Sequence, residues 1–380
     1  MNQSLARMVA GCMTGTSLDA VDVALTQITG QGLGMRAQFI GMVSLDLGEL
    51  RRPLLQMTAG EPHPPVAYAR MARALGQLHA EAVTQLCALH LPSNAGLDMV
   101  VAHGQTIWHA PEEALSWQLM DPWPIVRKLR VPVLYDLRQA DLIAQGQGAP
   151  ISPLADWVLY RDQLQRRLIV NLGGICNVTD LPADCQPADI SGGDIGPCNL
   201  LIDGLTQRLF PNLTYDTDGK IAASGKIYPE FGQWVKASPF FDKTGPHSTG
   251  REDFNDAWLD ALLSKAKQAP GQWSNQDIIA SAVDVVAAII TTYCKRLPNN
   301  RHMILAGGGA LNPVLVQRIK DRLDEGDRIS SSDELGIPVS AREAIAFAVL
   351  GALSQDDVPI TLPQITGAPN PGRAGVWAYP

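Results

Sequence analysis

At 380 residues, with 46% hydrophobic and 18% charged side chains, the chain has enough apolar surface for two domain cores, which excludes a disordered polypeptide. Its formal net charge of −8 excludes non-specific nucleic-acid binding, which needs a basic face, yet leaves room for a small anion held by local backbone amides. The six cysteines form no C-x-x-C pair and the seven histidines no H-E-x-x-H, so neither a zinc site nor a disulfide framework is expected, and a reducing cytoplasm fits best.

The first patterned segment runs over 8–26. Met8, Val9 and Ala10 lead into Gly11-Cys12-Met13-Thr14-Gly15-Thr16-Ser17-Leu18-Asp19, after which Val21, Val23 and Leu25 alternate. This predicts two strands joined by a small hydroxyl-rich turn. Gly11 and Gly15 would let backbone approach a ligand, with hydroxyls beside exposed amides able to hold phosphate oxygens. The Walker pattern G-x-x-x-x-G-K-[ST] is not present, and an ordinary tight hairpin is the competing reading. Another strand is expected over 39–47, then a helix over 68–89, after the break at Pro62-His63-Pro64-Pro65. A buried strand over 97–102 ends at His103-Gly104-Gln105-Thr106, and a helix-to-strand step covers 123–135. The Gly- and Pro-containing stretch 144–150 marks a domain edge, followed by a helix over 156–164.

A second strand–glycine turn–strand unit occupies 168–179, around Asn171, Gly173, Gly174 and Asn177. Pro197 is expected in the first turn of a helix carrying Leu200, Leu201, Leu205 and Leu209. A polar loop covers 240–251. The apolar helix over 278–297 is interrupted by Asp284 and Lys295, so it reads as a core helix rather than a membrane span. A strand, the triplet Gly307-Gly308-Gly309 and a helix over 314–322 come next, and a helix over 341–353 returns the chain to the first half. Two hairpins in separate halves plus the triple-glycine unit suggest a duplicated α/β protein clasping a nucleotide, with domains at 1–145 plus 341–380 and at 146–340. The hairpins would take the phosphates and the triple-glycine turn the nucleoside. No cluster matches the Rossmann pattern G-x-G-x-x-G.

The stretches GCMTGTSLDAVD, AHGQTIWHAP, QGQGAP, NLGGICNVTDL, GGDIGPCNLLID, STGREDF, AGGGALNP and EAIAFAVLG, in order from Gly11 to Gly351, resemble the 1,6-anhydro-N-acetylmuramic acid kinases of the sugar kinase/heat-shock protein/actin superfamily. The resemblance implies a two-domain actin-like (ribonuclease H-like) fold with a central ATP cleft and Mg²⁺-dependent phosphoryl transfer. It also implies hydrolytic opening of an anhydro amino sugar in peptidoglycan recycling. From charge, cysteine usage and the interrupted apolar helix, a cytoplasmic protein without nucleic-acid or membrane partners is expected, and a homodimer is compatible with this. Two alternatives stand beside the family reading: a kinase for another small sugar or acid, and an ATP-responsive binding module without transfer chemistry. The chain departs from the family pattern at Trp117 to Pro124, at Ile195 and Cys198, and at His247.

Within that frame Asp194, flanked by glycines, is the expected catalytic base, aiming a water at the anomeric carbon. Glu343 is the expected second carboxylate, although Ser340 to Glu343 also has capping-box spacing. The nucleotide is expected on Gly15, Thr16, Ser17, Leu18, Asp19, Ala20, Val21 and Asp22, on Asn171, Gly173, Gly174 and Asn177, and on Gly307, Gly308, Gly309 and Asn312. Asp19 could hold Mg²⁺ through water or simply be a solvated turn residue. The triple glycine could equally serve tight strand–helix packing. His103, Gln105, Asp121, Arg138 and Arg251 are the expected sugar contacts, Arg138 pairing with the lactyl carboxylate. For Arg251, a helix start with Thr249 and Glu252 at capping-box spacing is the competing reading.

Overall fold

The computed structural model describes residues 6–15, 18–243, 249 and 253–380. They form two compact units, one of Met1–Arg161, Gln186–Ile190 and Gly336–Pro380, the other of Asp162–Cys185 and Ser191–Leu335.

In the first unit, strands β1 (Arg7–Thr14), β2 (Ala20–Thr29), β3 (Arg36–Asp46), β4 (Met99–Ala102), β7 (Val133–Tyr135) and β13 (Val376–Ala378) make a sheet of order β13-β7-β4-β1-β2-β3. The β1–β2 and β2–β3 pairs are antiparallel, β1–β4 and β4–β7 parallel. Strands β5 (Gln105–Ala110) and β6 (Leu115–Leu119) form a separate hairpin. The helices are α1 (Arg51–Thr58), α2 (Pro65–His90), α3 (Trp123–Leu129), α4 (Gln139–Ile143), α5 (Pro153–Tyr160), α12 (Arg342–Gln355) and α13 (Pro363–Thr366). Side chains alternate across a strand, so Ala10 and Cys12 of β1 join the core that holds Leu75, Val83 and Leu86 of α2. Gly11 points the other way, against α12. A Cβ there would lie 1.9 Å from the Ala344 carbonyl oxygen, so this glycine serves helix–sheet packing and not the ligand approach expected of it.

In the second unit, β8 (Arg167–Leu172), β9 (Ile175–Leu181), β10 (Ser191–Pro197), β11 (His302–Ala306) and β12 (Arg328–Ser331) form a sheet of order β10-β9-β8-β11-β12. Three antiparallel strands are followed by two parallel ones, as in β3-β2-β1-β4-β7. The chain is therefore a duplicated α/β protein, as expected. The helices are α6 (Asn199–Leu209), α7 (Lys220–Ser224), α8 (Pro229–Lys236), α9 (Asp256–Gln268), α10 (Asn275–Cys294) and α11 (Pro313–Lys320). Helix α10 is long and apolar enough to cross a membrane by length and composition. Its Ile278, Ile279, Val283, Val286 and Ile290 are instead fully buried in the core of this unit. The reciprocal capping box of Ser274 and Asp277 starts it.

Several local expectations shift. The helix expected over 156–164 is α5, ending at Tyr160, because Arg161 leaves the helical region at ψ 145°. Pro197 closes β10, and α6 starts only at Asn199. Its first amides, on Cys198, Asn199 and Leu200, donate to the Gly174, Gly173 and Gly174 carbonyls, so the glycine turn caps this helix. The Ser340 to Glu343 capping box does not form: Ala341 is the N-cap and gives no side-chain bond, while Ser340 Oγ turns to Met42 Sδ.

Candidate active site

The first unit gathers its candidate groups around the starts of β2, β5 and α12. Leu18 adopts φ 52°, donates its amide to the Gly15 carbonyl at 3.2 Å and buries its side chain. Ala20, Val21 and Asp22 pair with Asp46, Leu45 and Ser44 in the ladder, and the Val21 side chain lies in the core. Thr16 and Ser17 lie outside the described residues, as does Arg251. Burial raises the Asp22 carboxyl above its ordinary range; a Ser44 hydrogen bond opposes this and the nearby Asp19 charge adds to it. Glu343 is the exposed residue in a first turn whose neighbours Arg342, Ala344 and Ile345 are buried. Desolvation by the surrounding protein raises its carboxyl, against the pull of Arg342 and Arg138 and with the push of Asp22 and Asp156.

Arg138 is held at two points. Its Nε donates to His103 Nε2 at 3.0 Å and its Nη1 to the Gly148 carbonyl at 2.7 Å. The receiving loop is itself anchored, because the Gly148 amide and the Thr366 hydroxyl both donate to Asp141 at 2.8 Å. His103 Nδ1 donates to the Gly104 carbonyl at 2.8 Å, and the ring packs against Phe347. Burial, with the adjacent Arg138 guanidinium, pushes His103 down to about 3, so the ring is neutral, Nε2 accepting from Arg138 while Nδ1 donates to Gly104. Gln105 is 3% exposed; its Nε2 donates to the Thr106 carbonyl at 3.2 Å, and among the described residues nothing bonds its Oε1. Asp121 receives the Trp123 amide at 2.9 Å at the start of α3 and pairs with Arg73, so its carboxylate is used locally.

In the second unit, register brings separated residues abreast. Asn171 of β8 pairs with Asn177 of β9, and Asn177 pairs with Asp194 of β10. Directly opposed antiparallel residues project from one face, so two amides and a carboxylate form a row. On the other side of β8, Asn171 pairs with Ala306, which puts the Gly307 turn at the same sheet end. A register shift between Asp194 and Gly196 breaks the ladder at this point, a device that re-aims side chains. Gly193, at φ 147°, has no atom near a would-be Cβ, leaving open space beside Asp194. Asp194 Oδ2 accepts the Thr249 amide at 2.8 Å. Thr249 Oγ1 donates to Asp253 at 2.7 Å, and α9 is capped by Asn255.

The triple glycine divides its duties. A Cβ on Gly307 would meet the Leu172 carbonyl at 2.9 Å, and one on Gly309 the Leu172 side chain at 2.8 Å. Gly308 is exposed, its would-be Cβ 3.6 Å from the Asn199 amide nitrogen, and forms the cradle a ligand can enter. Asn312 Oδ1 accepts the Val314 and Leu315 amides at 3.1 Å, capping α11. Asp156, whose buried carboxylate grips Arg342 beside Glu343, leaves little trace in the sequence, where it is a lone Asp in an apolar helix far from its Arg.

A family model described as anhydro-N-acetylmuramic acid kinase matches residues 7–380. Anhydro-N-acetylmuramic acid kinase from Bacillus cereus (strain ZK / E33L) is 33% identical over 383 residues, covering 98% of this chain and 99% of that protein. The protein of the same name from Bacillus anthracis (strain CDC 684 / NRRL 3495) is 33% identical over 371 residues, covering 95% of this chain and 96% of its own. Among solved structures, the activator of the 2-hydroxyisocaproyl-CoA dehydratase from Clostridium difficile with bound ADPNP aligns over 92% of this chain and 96% of its own, with TM-score 0.44 and 12% identity.

Proposed function

The chain belongs to the anhydro-N-acetylmuramic acid kinase family, and from that membership we propose how its residues carry out the reaction: opening 1,6-anhydro-N-acetylmuramic acid with water and phosphorylating its O6 at the expense of ATP. It is a phosphotransferase with an alcohol acceptor, and its product, N-acetylmuramic acid 6-phosphate, belongs to cell-wall recycling in the cytoplasm.

Asp194 is the base. With Oδ2 held by the Thr249 amide, the carboxylate is kept in one orientation, and the open side at Gly193 admits the sugar. Asp194 takes a proton from water as the water oxygen bonds to the anomeric carbon. The bond from that carbon to the bridging oxygen breaks, and O6 leaves with the electron pair. O6 then bonds to the γ-phosphorus, the β–γ bridge breaks and ADP departs. Bond cleavage thus generates the nucleophile for the second step, and positioned proton transfer of this kind is worth roughly 10²–10⁴-fold. Glu343 is the second carboxylate assigned to the reaction, its raised carboxyl suiting it to share a proton. Arg138, fixed by His103 and Gly148, meets the lactyl carboxylate, and the unbonded Gln105 Oε1 accepts from a sugar hydroxyl or amide.

For ATP, the residues proposed are Gly15 and Leu18 to Asp22 in the first unit and, in the second, Asn171, Gly173, Gly174, Asn177 and exposed Gly308, with Gly307, Gly309 and Asn312 holding the Gly308 turn in place. Asp19 and Asp22, close enough for their charges to interact, fit Mg²⁺, which uses one or two carboxylates and keeps phosphate and water as its other ligands. When bound, Mg²⁺ withdraws negative charge from the phosphates.

The observation that carries this reading is Asp194 in register with Asn177 and Asn171, in a chain that matches the family model over 7–380. The Asp194→Asn variant tests it. ATP affinity measured by calorimetry should stay within about threefold while turnover of the anhydro sugar falls at least ~10²-fold. Turnover near that of the parent enzyme would remove Asp194 from the mechanism.

A further inference from the structure

Helix α12 starts without a side-chain cap, yet its first turn presents Glu343. What holds that turn is an ion pair closed off from solvent. Arg342 is 2% exposed and Asp156 of α5 is 0% exposed, and Arg342 Nη2 stands 2.6 Å from both carboxylate oxygens. Stability alone explains such a pair poorly, because desolvating both ions offsets most of their attraction, and well-packed apolar residues often serve as well. Geometry explains it better. Arg342 precedes Glu343 in the chain, and fixing its guanidinium against α5 fixes the direction in which the next side chain leaves the helix.

We propose that Asp156 is a positioning residue for the reaction, acting through Arg342 to set the place and proton affinity of Glu343. This rests on the reading of Glu343 as the second catalytic carboxylate. The charged groups facing Glu343 are Arg342 on its own helix, Asp22 on β2, Arg138 before α4 and Asp156 on α5. Arg342 stabilises the ionised carboxylate more than Asp156 destabilises it. Neutralising Asp156 alone therefore lowers the proton affinity of Glu343, whereas removing both charges raises it. Opposite displacements from two changes at one buried site are not expected of a merely structural brace.

The test measures kcat against pH for Asp156→Asn and for the paired replacement Asp156→Leu with Arg342→Met, which keeps volume and removes both ions. Glu343→Gln and thermal unfolding serve as controls. The acid limb should move to lower pH by about half a unit or more in Asp156→Asn and to higher pH in the double variant, with KM for ATP unchanged in both. If both variants fold and the limb stays in place, or moves the same way in each, the proposal is overturned. If neither yields folded protein, the pair belongs to the fold alone and the proposal also falls. Because the base Asp194 gives an acid limb of its own, the control reads the limb's position: a limb that stays at the parental pH in Glu343→Gln contradicts the underlying reading of Glu343, an outcome separate from either of these.

Discussion

A methyl group on Gly307 would press on the Leu172 backbone at 2.9 Å, whereas one on Gly308 would come no nearer than 3.6 Å to the Asn199 amide. Gly307 also sits at φ 76° and ψ 167°, a region nearly restricted to glycine. Gly307→Ala should therefore cost about 1–3 kcal/mol in folding, seen as a lower midpoint in denaturant. Gly308→Ala should leave that midpoint within about 0.5 kcal/mol and instead raise KM for ATP. Equal loss of stability in the two variants would contradict the division. That the triplet formed a turn was legible from composition; which glycine packs and which stays open was not, because Leu172 and Asn199 reach the turn from other strands and helices. His103 shows the same limit. Its neutrality and its service to Arg138 depend on burial and on a partner 35 positions away, neither visible in the local motif.

Helices and strands were legible where a single face repeats. The alternation after Gly15 foretold β2, and the apolar spacing from Tyr68 to Leu89 foretold α2. Boundaries were read less well wherever a tertiary contact replaced the local signal. Pro197 has the chemistry of a first helical residue, but antiparallel pairing with Ile175 draws it into β10. Ser340 has cap chemistry, but its hydroxyl finds Met42. Gly11 belongs to this scale too, since it is the point where α12 meets β1. Gly11→Ala places a Cβ against the Ala344 carbonyl, in backbone that has little freedom to yield. It should destabilise the chain by about 1–3 kcal/mol and displace the helix that carries Glu343, so that kcat and unfolding midpoint drop together. A variant with a lowered midpoint and unchanged kcat would separate α12 packing from catalysis.

For the chain as a whole, two sheets of one topology were foreseeable from two hairpins and a strand–glycine–helix unit, while the row of Asn171, Asn177 and Asp194 had to await strand register. Burial of neutral histidines adds a global consequence. His79, His103 and His109 are each pushed down by burial, to about 4, 3 and 4, from an ordinary value of 6.5. The unfolded chain binds protons on these rings below pH 6.5 before the folded one does, so stability is present above that pH and is lost as pH falls towards 4. Each such ring contributes up to about 1.4 kcal/mol per pH unit across its window. His79→Gln should flatten the acid slope of thermal stability; an unchanged slope would rule His79 out as a contributor. The central chemical claim is tested most directly by turnover in H₂¹⁸O with rapid quenching and mass analysis of the product. Water attack at the anomeric carbon, followed by phosphorylation of the original bridging oxygen, predicts one ¹⁸O on the anomeric carbon and none in the 6-phosphate. Label in the phosphate, or a phosphorylated product that retains its anhydro bridge, would contradict the account.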